Sequence, residues 1–248
     1  MKRLLARLLA LTCVLGAAIA QGQDYAREAR WASEVKASLV VGDAVALKLP
    51  SGREILGLWT EAAGGRPAIL LVHGVGVHPD HGVIGILRGA LAEAGYPTLS
   101  IQMPVQGTDA KLDDYFPKVF PEAGERIAAG AAWLKAKGAA RVVLLSHSMG
   151  SWMSNVYFEN TPQPAFAAWV CMGLTGGFGG LGNVRAPILD VYGENDLPNV
   201  LRADWRRRNA IATIEGSRQV RIAGADHHYL GREKELAAEI AAFVAGLR

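Results

Sequence analysis

The 248-residue sequence predicts a single α/β domain, built on a mostly parallel sheet with helices on both faces. Short apolar segments of strand length alternate with segments whose apolar residues recur at helical spacing. One of them, "PAILLVHG" (67–74), is a continuous apolar run, as expected for a strand that is buried on both faces. Half of the residues are hydrophobic, so a chain of this length can bury a sizeable core.

The individual elements follow from the same patterns. A helix is predicted over "VIGILRGALAEAG", where Val83, Leu87 and Leu91 recur at helical spacing before Gly95. The last helix places Leu236, Ile240, Phe243 and Leu247 on one face, and further helices are expected after the strand at 97–104 and before the last strand. Strands are predicted at 43–49, 53–60, 67–74, 97–104, 141–146, 165–174, 186–193 and 217–224.

The N-terminal segment "MKRLLARLLALTCVLGAAIA" predicts a cleaved signal peptide over residues 1–20. Lys2, Arg3 and Arg7 precede an apolar run that is short for a bilayer span, and "AIA" supplies a small-residue cleavage pattern. A membrane anchor is the alternative. We expect export to the periplasm or medium of a Gram-negative-type bacterium, with a polar linker at 21–37 before a domain at 38–248.

The charge of the processed chain bears on its partners. Cleavage after Ala20 removes three basic residues and no acidic ones, leaving 23 of each sign. A formally neutral chain disfavours nucleic acid as a partner. Cys171 is the one cysteine left after cleavage, so no intramolecular disulfide can form. We expect no stable membrane span in the processed protein, and the sequence leaves its oligomeric state open.

Polar side chains gather where the predicted strands end, which is where function collects in such a sheet. These ends read "HGVG" (73–76), "SHSMG" (146–150), "GEND" (193–196) and "GADHH" (224–228). A serine, an acid and a histidine therefore come to one edge in that order. A serine hydroxyl needs a base and an acid that orients the base, so this set predicts acyl transfer.

Two serines compete for the role of nucleophile. A nucleophile on a sharp strand-to-helix turn needs small residues two positions before and after it. Ser148 has Ser146 and Gly150 at those positions, whereas Ser146 would place Leu144 at the corner. Ser148 is therefore the predicted nucleophile.

These motifs resemble the α/β-hydrolase superfamily over roughly residues 40–247, with "SHSMG" at the place of its G-x-S-x-G turn. The resemblance implies Ser148 as nucleophile, Asp196 as acid and His227 as base. His228 is the weaker candidate for the base. Weaker candidates for the acid are Asp226, Asp190 and Glu194.

Two details qualify the resemblance. Residues 72–104 further resemble a little-characterised exported family of proteobacteria within the superfamily. Ser146 stands where the turn usually has its first glycine, and we expect its side chain to crowd the turn.

An oxyanion hole needs N–H donors aimed at the charge that develops on the substrate carbonyl. We predict the N–H of Met149 as one donor and the N–H of Val75 or Gly76 as the other. The loop also has the G-x-G of a dinucleotide site, but Pro79 replaces the third glycine and no acid ends the next strand. No cofactor is therefore expected.

Several side chains are candidates for the lining of a substrate cleft. His78 and His81 flank Asp80, but two loop histidines without further ligands indicate site lining or surface rather than metal binding. The connection "TGGFGGLGNVRA" is too short for a helical cap domain, so no large cap domain is expected. The run of arginines at 206–208 predicts a solvated helix face, with contact to an anionic membrane surface as the alternative. The predicted lining residues are His78, Tyr115, Phe116, Trp152 and His228.

Together these features predict an exported serine hydrolase, most simply a carboxylic-ester hydrolase of the esterase or lipase type. Its substrate would be a small or lipid-like acyl compound, cleaved through an acyl-enzyme without metal or cofactor. An acyltransferase or peptidase would use the same residues. The alternative of a different class is a non-catalytic envelope protein that binds an acyl or peptidoglycan-like partner on this scaffold.

Overall fold

The computed structural model describes residues 23–63, 65–162 and 164–247. The predicted signal peptide therefore lies outside the described residues. Within these ranges, no helix combines the length and the apolar character that crossing a bilayer requires.

Eight strands within the described ranges form one sheet, in the order β1-β2-β4-β3-β5-β6-β7-β8. β1 pairs antiparallel with β2, and β2 with β4, whereas every other neighbouring pair is parallel. The prediction of a mostly parallel sheet is confirmed. The strands are β1 (Asp43–Lys48), β2 (Glu54–Thr60), β3 (Ala68–Val72), β4 (Thr98–Ile101), β5 (Val142–His147), β6 (Ala168–Met172), β7 (Ile188–Asn195) and β8 (Arg218–Asp226).

Helices cover both faces of the sheet. The helices are α1 (Tyr25–Ser38), α2 (Gly82–Glu93), α3 (Leu112–Tyr115), α4 (Phe120–Ala136), α5 (Met149–Asn160), α6 (Pro198–Arg202), α7 (Asp204–Ile211) and α8 (Glu233–Ala245). α2 packs beside α8 over one face, and α4 beside α5 over the other. Every residue of β3, β5 and β6 is buried, which explains why β3 and β6 are unbroken apolar runs and β5 is apolar up to Ser146.

The segment predicted as a linker at 21–37 is instead largely the helix α1. Asp24 caps it by accepting a hydrogen bond from the N–H of Arg27 at 2.9 Å. Glu28 forms an ion pair of 3.0 Å with the fully buried Arg126 of α4, and Val35 packs on β2. The polar composition of this segment does not indicate a packed helix, because the helix is held mainly by the ion pair of Glu28 with Arg126, 98 positions away in the sequence.

The connection from β6 to β7 contains one 3₁₀ turn (Leu181–Asn183), and the described part of it holds no cap domain. The long connection before α4 contains the short helix α3. Both connections leave the carboxyl edge of the parallel strands uncovered by a separate layer.

The arginine run at 206–208 is not the uniform solvated face that its composition predicts. Arg206 and Arg208 are exposed, but Arg207 is fully buried and pairs with Asp190 of β7 at 2.9 Å. Its guanidinium also donates to the carbonyls of Leu174 and Val200. This pair fixes α7, and the turn before it, against the sheet.

Candidate active site

Ser148 occupies the sharp turn between β5 and α5, with φ +57° and ψ −122°. A non-glycine residue rarely adopts a positive φ, so the turn is held by its surroundings. A Cβ on Gly150 would lie 2.4 Å from the carbonyl oxygen of His73, and one on Gly74 would lie 3.2 Å from the Cβ of Ser148. The small residues around Ser148 are therefore needed for the close approach of two strand ends.

Three side chains from the ends of β5, β7 and β8 form one hydrogen-bond network. Nε2 of His227 lies 2.8 Å from Oγ of Ser148, and Nδ1 of His227 lies 2.6 Å from Oδ1 of Asp196. His227 and Asp196 are buried, whereas Ser148 remains partly accessible. The arrangement can transfer the hydroxyl proton of Ser148 to an imidazole that a carboxylate holds in place.

The rival candidates for acid and base are engaged elsewhere. Asp190 pairs with Arg207, Glu194 accepts a hydrogen bond from the N–H of Gly224, and Asp226 accepts from two backbone N–H groups of the turn after it. His228 is exposed, with its ring 5.3 Å from the ring of His227. Asp196 and His227 are thus the acid and histidine that the fold brings to Ser148.

The environment of Asp196 favours its ionised form. Burial alone would raise the pKa of this carboxyl, but the hydrogen bond from His227 and those from the N–H groups of Gly193 and Leu197 outweigh it. The net effect is a pKa below the ordinary value of an aspartate. The carboxylate is therefore suited to accept a hydrogen bond from the Nδ1–H of His227, which leaves Nε2 free to accept the proton of Ser148.

The loop after β3 supplies a candidate oxyanion donor. Nε2 of the buried His73 accepts a hydrogen bond from the N–H of Met103 at 2.8 Å, so Nδ1 carries the proton and donates to the carbonyl of Gly74 at 2.8 Å. In a trans peptide the C=O and N–H point in opposite directions, so the N–H of Val75 faces away from His73. Met149 begins α5, and its N–H has no acceptor within the helix.

The residue of the other predicted donor, Gly76, is held from outside the loop through the peptide that follows it. Its carbonyl accepts a hydrogen bond from Nη2 of Arg27 at 3.3 Å, and the second amino group of Arg27 donates to the carbonyl of Gln106 at 3.0 Å. Helix α1 thus supports the loop that carries Val75 and Gly76. No pattern in the sequence indicates this role for α1 or for Arg27.

A cavity of about 350 Å³ opens directly beside Ser148. Of the predicted lining residues, His228 lines it, whereas the other four lie outside its lining. The hydroxyl of Tyr115 is buried and accepts from the N–H of Gln106, and Phe116 stacks on Trp152 with ring centroids 5.1 Å apart. His78 packs between Trp31 and His81.

Two buried histidines of the site make hydrogen bonds to backbone carbonyls that the sequence did not predict. His73 orients the Gly74 peptide, and His147 donates from Nε2 to the carbonyl of His227 at 2.8 Å. Burial lowers the pKa of His73 to about 3 and that of His147 to about 4, so both are uncharged at neutral pH. The signals in the sequence were the place of His73 at the strand end "HGVG" and that of His147 directly before Ser148.

In the described part of the chain, no group of three or more His, Cys, Asp or Glu side chains is arranged to hold a metal ion. Cys171 is a free, buried thiol in β6.

Neither a protein-family model nor a curated protein matches this chain. Solved structures do. A dienelactone hydrolase from Anabaena variabilis superposes with a TM-score of 0.67 and 20% identity, covering 83% of this chain and 98% of that one. An α/β serine hydrolase without a lid from Xanthomonas campestris gives 0.63 and 16%, covering 83% and 94%. The esterase Pf2001 from Pyrococcus furiosus gives 0.61 and 13%, covering 83% and 97%.

Sheet order, helix placement and these superpositions define the class: the chain has the α/β-hydrolase fold, without a cap domain in its described part. The fold prediction is confirmed. At these identities the likeness establishes the fold alone, so the activity of this chain has to be argued from its own residues.

Proposed function

We propose that this chain is an exported serine hydrolase that cleaves carboxylic esters, with Ser148 as nucleophile, His227 as general base and Asp196 orienting the base. The main support is the hydrogen-bond network that links the three side chains. Oδ1 of Asp196 lies 2.6 Å from Nδ1 of His227, and Nε2 of His227 lies 2.8 Å from Oγ of Ser148. A serine hydroxyl becomes an effective nucleophile when an adjacent base accepts its proton. The positive φ of Ser148 adds support, because it is typical of a nucleophile on a strand-to-helix turn.

The reaction proceeds in two halves. Oγ of Ser148 attacks the ester carbonyl while its proton passes to Nε2 of His227, and the N–H groups of Met149 and Val75 stabilise the resulting oxyanion. His227 then gives the proton to the alkoxide as the C–O bond breaks, which releases the alcohol and leaves an acyl-enzyme. Water attacks the acyl group with His227 again as base, and the acid is released as Ser148 recovers its proton.

Covalent labelling with a fluorophosphonate probe tests the chemistry. We expect the wild-type chain to be labelled on Ser148 and to hydrolyse short-chain 4-nitrophenyl esters, and Ser148→Ala to lose both while its circular dichroism is unchanged. Ser146→Ala is the control, because this serine is two residues away and its hydroxyl is directed at Trp169. Labelling that survives in Ser148→Ala, or is lost in Ser146→Ala alone, would contradict the assignment of the nucleophile.

The same assay separates the proposal from its alternatives. A folded wild-type chain that is neither labelled nor active on esters would favour the non-catalytic binding protein. Labelling together with faster product formation on addition of an alcohol or amine acceptor would favour an acyltransferase. Cleavage of peptide amides at rates that match ester cleavage would favour a peptidase.

Export is the second part of the proposal. It is supported by the basic, apolar and small-residue pattern of residues 1–20 and by the resemblance of residues 72–104 to an exported proteobacterial family. We expect mass spectrometry of protein recovered from the periplasm or medium to give an N-terminal peptide that begins at Gln21. Intact residues 1–20 in a membrane fraction would instead support an anchor.

A further inference from the structure

The cavity beside Ser148 lies between the loop after β3, the start of α2 and the start of α8. Its volume of about 350 Å³ is at the low end of the roughly 300–1,000 Å³ that is typical of small-molecule sites. A substrate group bound there would sit next to the reacting carbonyl. The side chains around the cavity therefore bear on which esters the site accepts.

Apolar side chains form most of the cavity wall. Val75 and Val77 come from the loop after β3, and Ile84 comes from the first turn of α2. Two further apolar residues of the lining remain in contact with solvent: Ile86 is 49% exposed and Leu230 is 78% exposed. Exposed apolar side chains that continue a cavity wall favour a ligand that is itself apolar.

The charges around the cavity are of one sign. Glu233 is the one acidic residue of its lining, and no Lys or Arg of the described chain lines it. Two basic side chains from the segments that border the cavity are directed elsewhere, since Arg88 pairs with Asp80 and Arg232 lies against Gly224. No ion pair or side-chain hydrogen bond of Glu233 occurs within the described residues.

Two of the four histidines in the lining do not offset this charge. His73 and His147 are buried, and burial holds the pKa of each so low that the ring is neutral at physiological pH. His81 and His228 are the other two histidines of the lining. The cavity is thus a mostly apolar site with one acidic side chain, Glu233, in its wall.

We infer that this cavity takes an apolar group of the ester whose far end is neutral or positively charged, and that it rejects a group that ends in a carboxylate. The inference rests on the proposed function, because it takes the ester carbonyl to lie at Ser148. A substrate carboxylate would be desolvated without a cationic partner and repelled by Glu233. A substrate ammonium would be attracted by the same side chain.

Two matched ester series test this selectivity at pH 8. In one series, 4-nitrophenyl esters have acyl chains of equal length that end in a methyl, a carboxylate or a trimethylammonium group. In the other, the same three ends are placed on the alcohol of acetate esters. We expect kcat/KM for the carboxylate member to be lowest in at least one series, and the difference between the two charged members to shrink as salt is added.

Variants of two glutamates in the first turn of α8 test whether Glu233 causes this selectivity. Glu233→Gln is expected to reduce the ratio of kcat/KM for the ammonium ester to that for the carboxylate ester by roughly 30-fold, because unit charges near 4 Å in water change each of the two values by about fivefold in opposite directions. Glu233→Lys is expected to invert the ratio. Glu235→Gln is the matched control, since Glu235 shares the helix turn but is exposed and lies outside the cavity lining.

The outcomes separate this inference from the proposed function. Labelling of Ser148 by an uncharged fluorophosphonate, with no discrimination in either series, would overturn the selectivity and leave the serine hydrolase standing. The same holds if Glu233→Gln and Glu235→Gln give equal ratios. Absence of both labelling and ester turnover would overturn the proposed function itself.

Discussion

Ser146 is a core residue of β5 rather than a crowding element of the nucleophile turn. Its hydroxyl accepts a hydrogen bond from the indole N–H of Trp169 at 2.8 Å, and both side chains are fully buried. Ser151 of α5 approaches the same hydroxyl at 3.3 Å. We had expected this serine to crowd the turn at Ser148. Instead, its hydroxyl accepts the hydrogen bond of the buried indole N–H of Trp169.

Replacing Ser146 with glycine tests this reason. We expect Ser146→Gly to lower the free energy of unfolding by about 1–3 kcal/mol in urea titrations, because the indole of Trp169 loses its acceptor inside the core. Most of the ester turnover should remain. A double-mutant cycle of Ser146→Ala with Trp169→Phe should give a smaller loss than the sum of the single variants. A more stable Ser146→Gly protein would restore the crowding interpretation.

His147 acts on the base through the backbone. Its Nε2–H donates to the carbonyl of His227, and the two rings are 5.0 Å apart. We expect His147→Phe, which keeps a ring but removes the donor, to lower kcat on esters by about tenfold, because a base held loosely is misplaced from Ser148. His147→Gln, which can still donate, should retain more activity. Equal kcat values for wild type and His147→Phe would show that the contact does not position the base.

At the scale of elements, the segments that follow Asp196 depend on a buried ion pair. Both Arg207 of α7 and Asp190 of β7 are completely inaccessible, and the guanidinium also holds the carbonyls of Leu174 and Val200. Truncating one partner of such a pair leaves a buried charge without compensation. The pair therefore links the stability of α7 to that of the strand whose end carries Asp196.

We expect Arg207→Leu to reduce the free energy of unfolding by about 3–5 kcal/mol, measured by denaturant titration. Arg206→Leu is the control, because its side chain is exposed and should change stability by less than about 0.5 kcal/mol. Similar losses in the two variants would contradict a specific role for the buried guanidinium.

Helix α1 is a second element whose position depends on one buried pair. Glu28 bonds Arg126 and also accepts from the N–H of Val105, so the helix is attached to the end of β4 and to α4. The neighbouring Arg27 then reaches the carbonyl of Gly76. The element predicted as a linker thus becomes a support for the loop that carries a candidate oxyanion donor.

For the molecule as a whole, the neutral buried histidines predict a loss of stability in acid. The pKa is about 3 for His73 and about 4 for His147, whereas the unfolded chain binds protons at its histidines near pH 6.5. Between about pH 4 and 6.5 the unfolded state therefore binds more protons than the folded state. Stability is fully present above pH 6.5 and falls as the pH decreases, by about 1.4 kcal/mol per pH unit for each histidine.

Urea titrations at pH 7.5, 6 and 5 measure this slope. Relative to the wild type, His147→Gln should have a shallower fall, because glutamine keeps a donor near the carbonyl of His227 without taking up a proton. The variant can be less stable at pH 7.5 and still meet this expectation, since the comparison concerns the slope. An identical slope in both proteins would exclude His147 as a source of acid sensitivity.

The sequence by itself was sufficient for the parallel sheet, the strand and helix alternation and the turn at Ser148. These depend on local patterns: unbroken apolar runs such as β3, apolar residues at helical spacing in α2 and α8, and small residues on both sides of Ser148. Strand ends meet at one edge of any parallel sheet, so the sequence could also bring Asp196 and His227 to the neighbourhood of Ser148.

The tertiary structure decided the features that depend on partners far apart in the sequence. Glu28 with Arg126, Asp190 with Arg207, and Ser146 with Trp169 are buried pairs, and each member alone reads as an ordinary polar or aromatic residue. The cavity lining was decided in the same way, because it combines Glu233 with the loop after β3 and excludes Tyr115 and Trp152. A buried charge or hydroxyl is stable only with its partner, and that partner is chosen by packing in three dimensions.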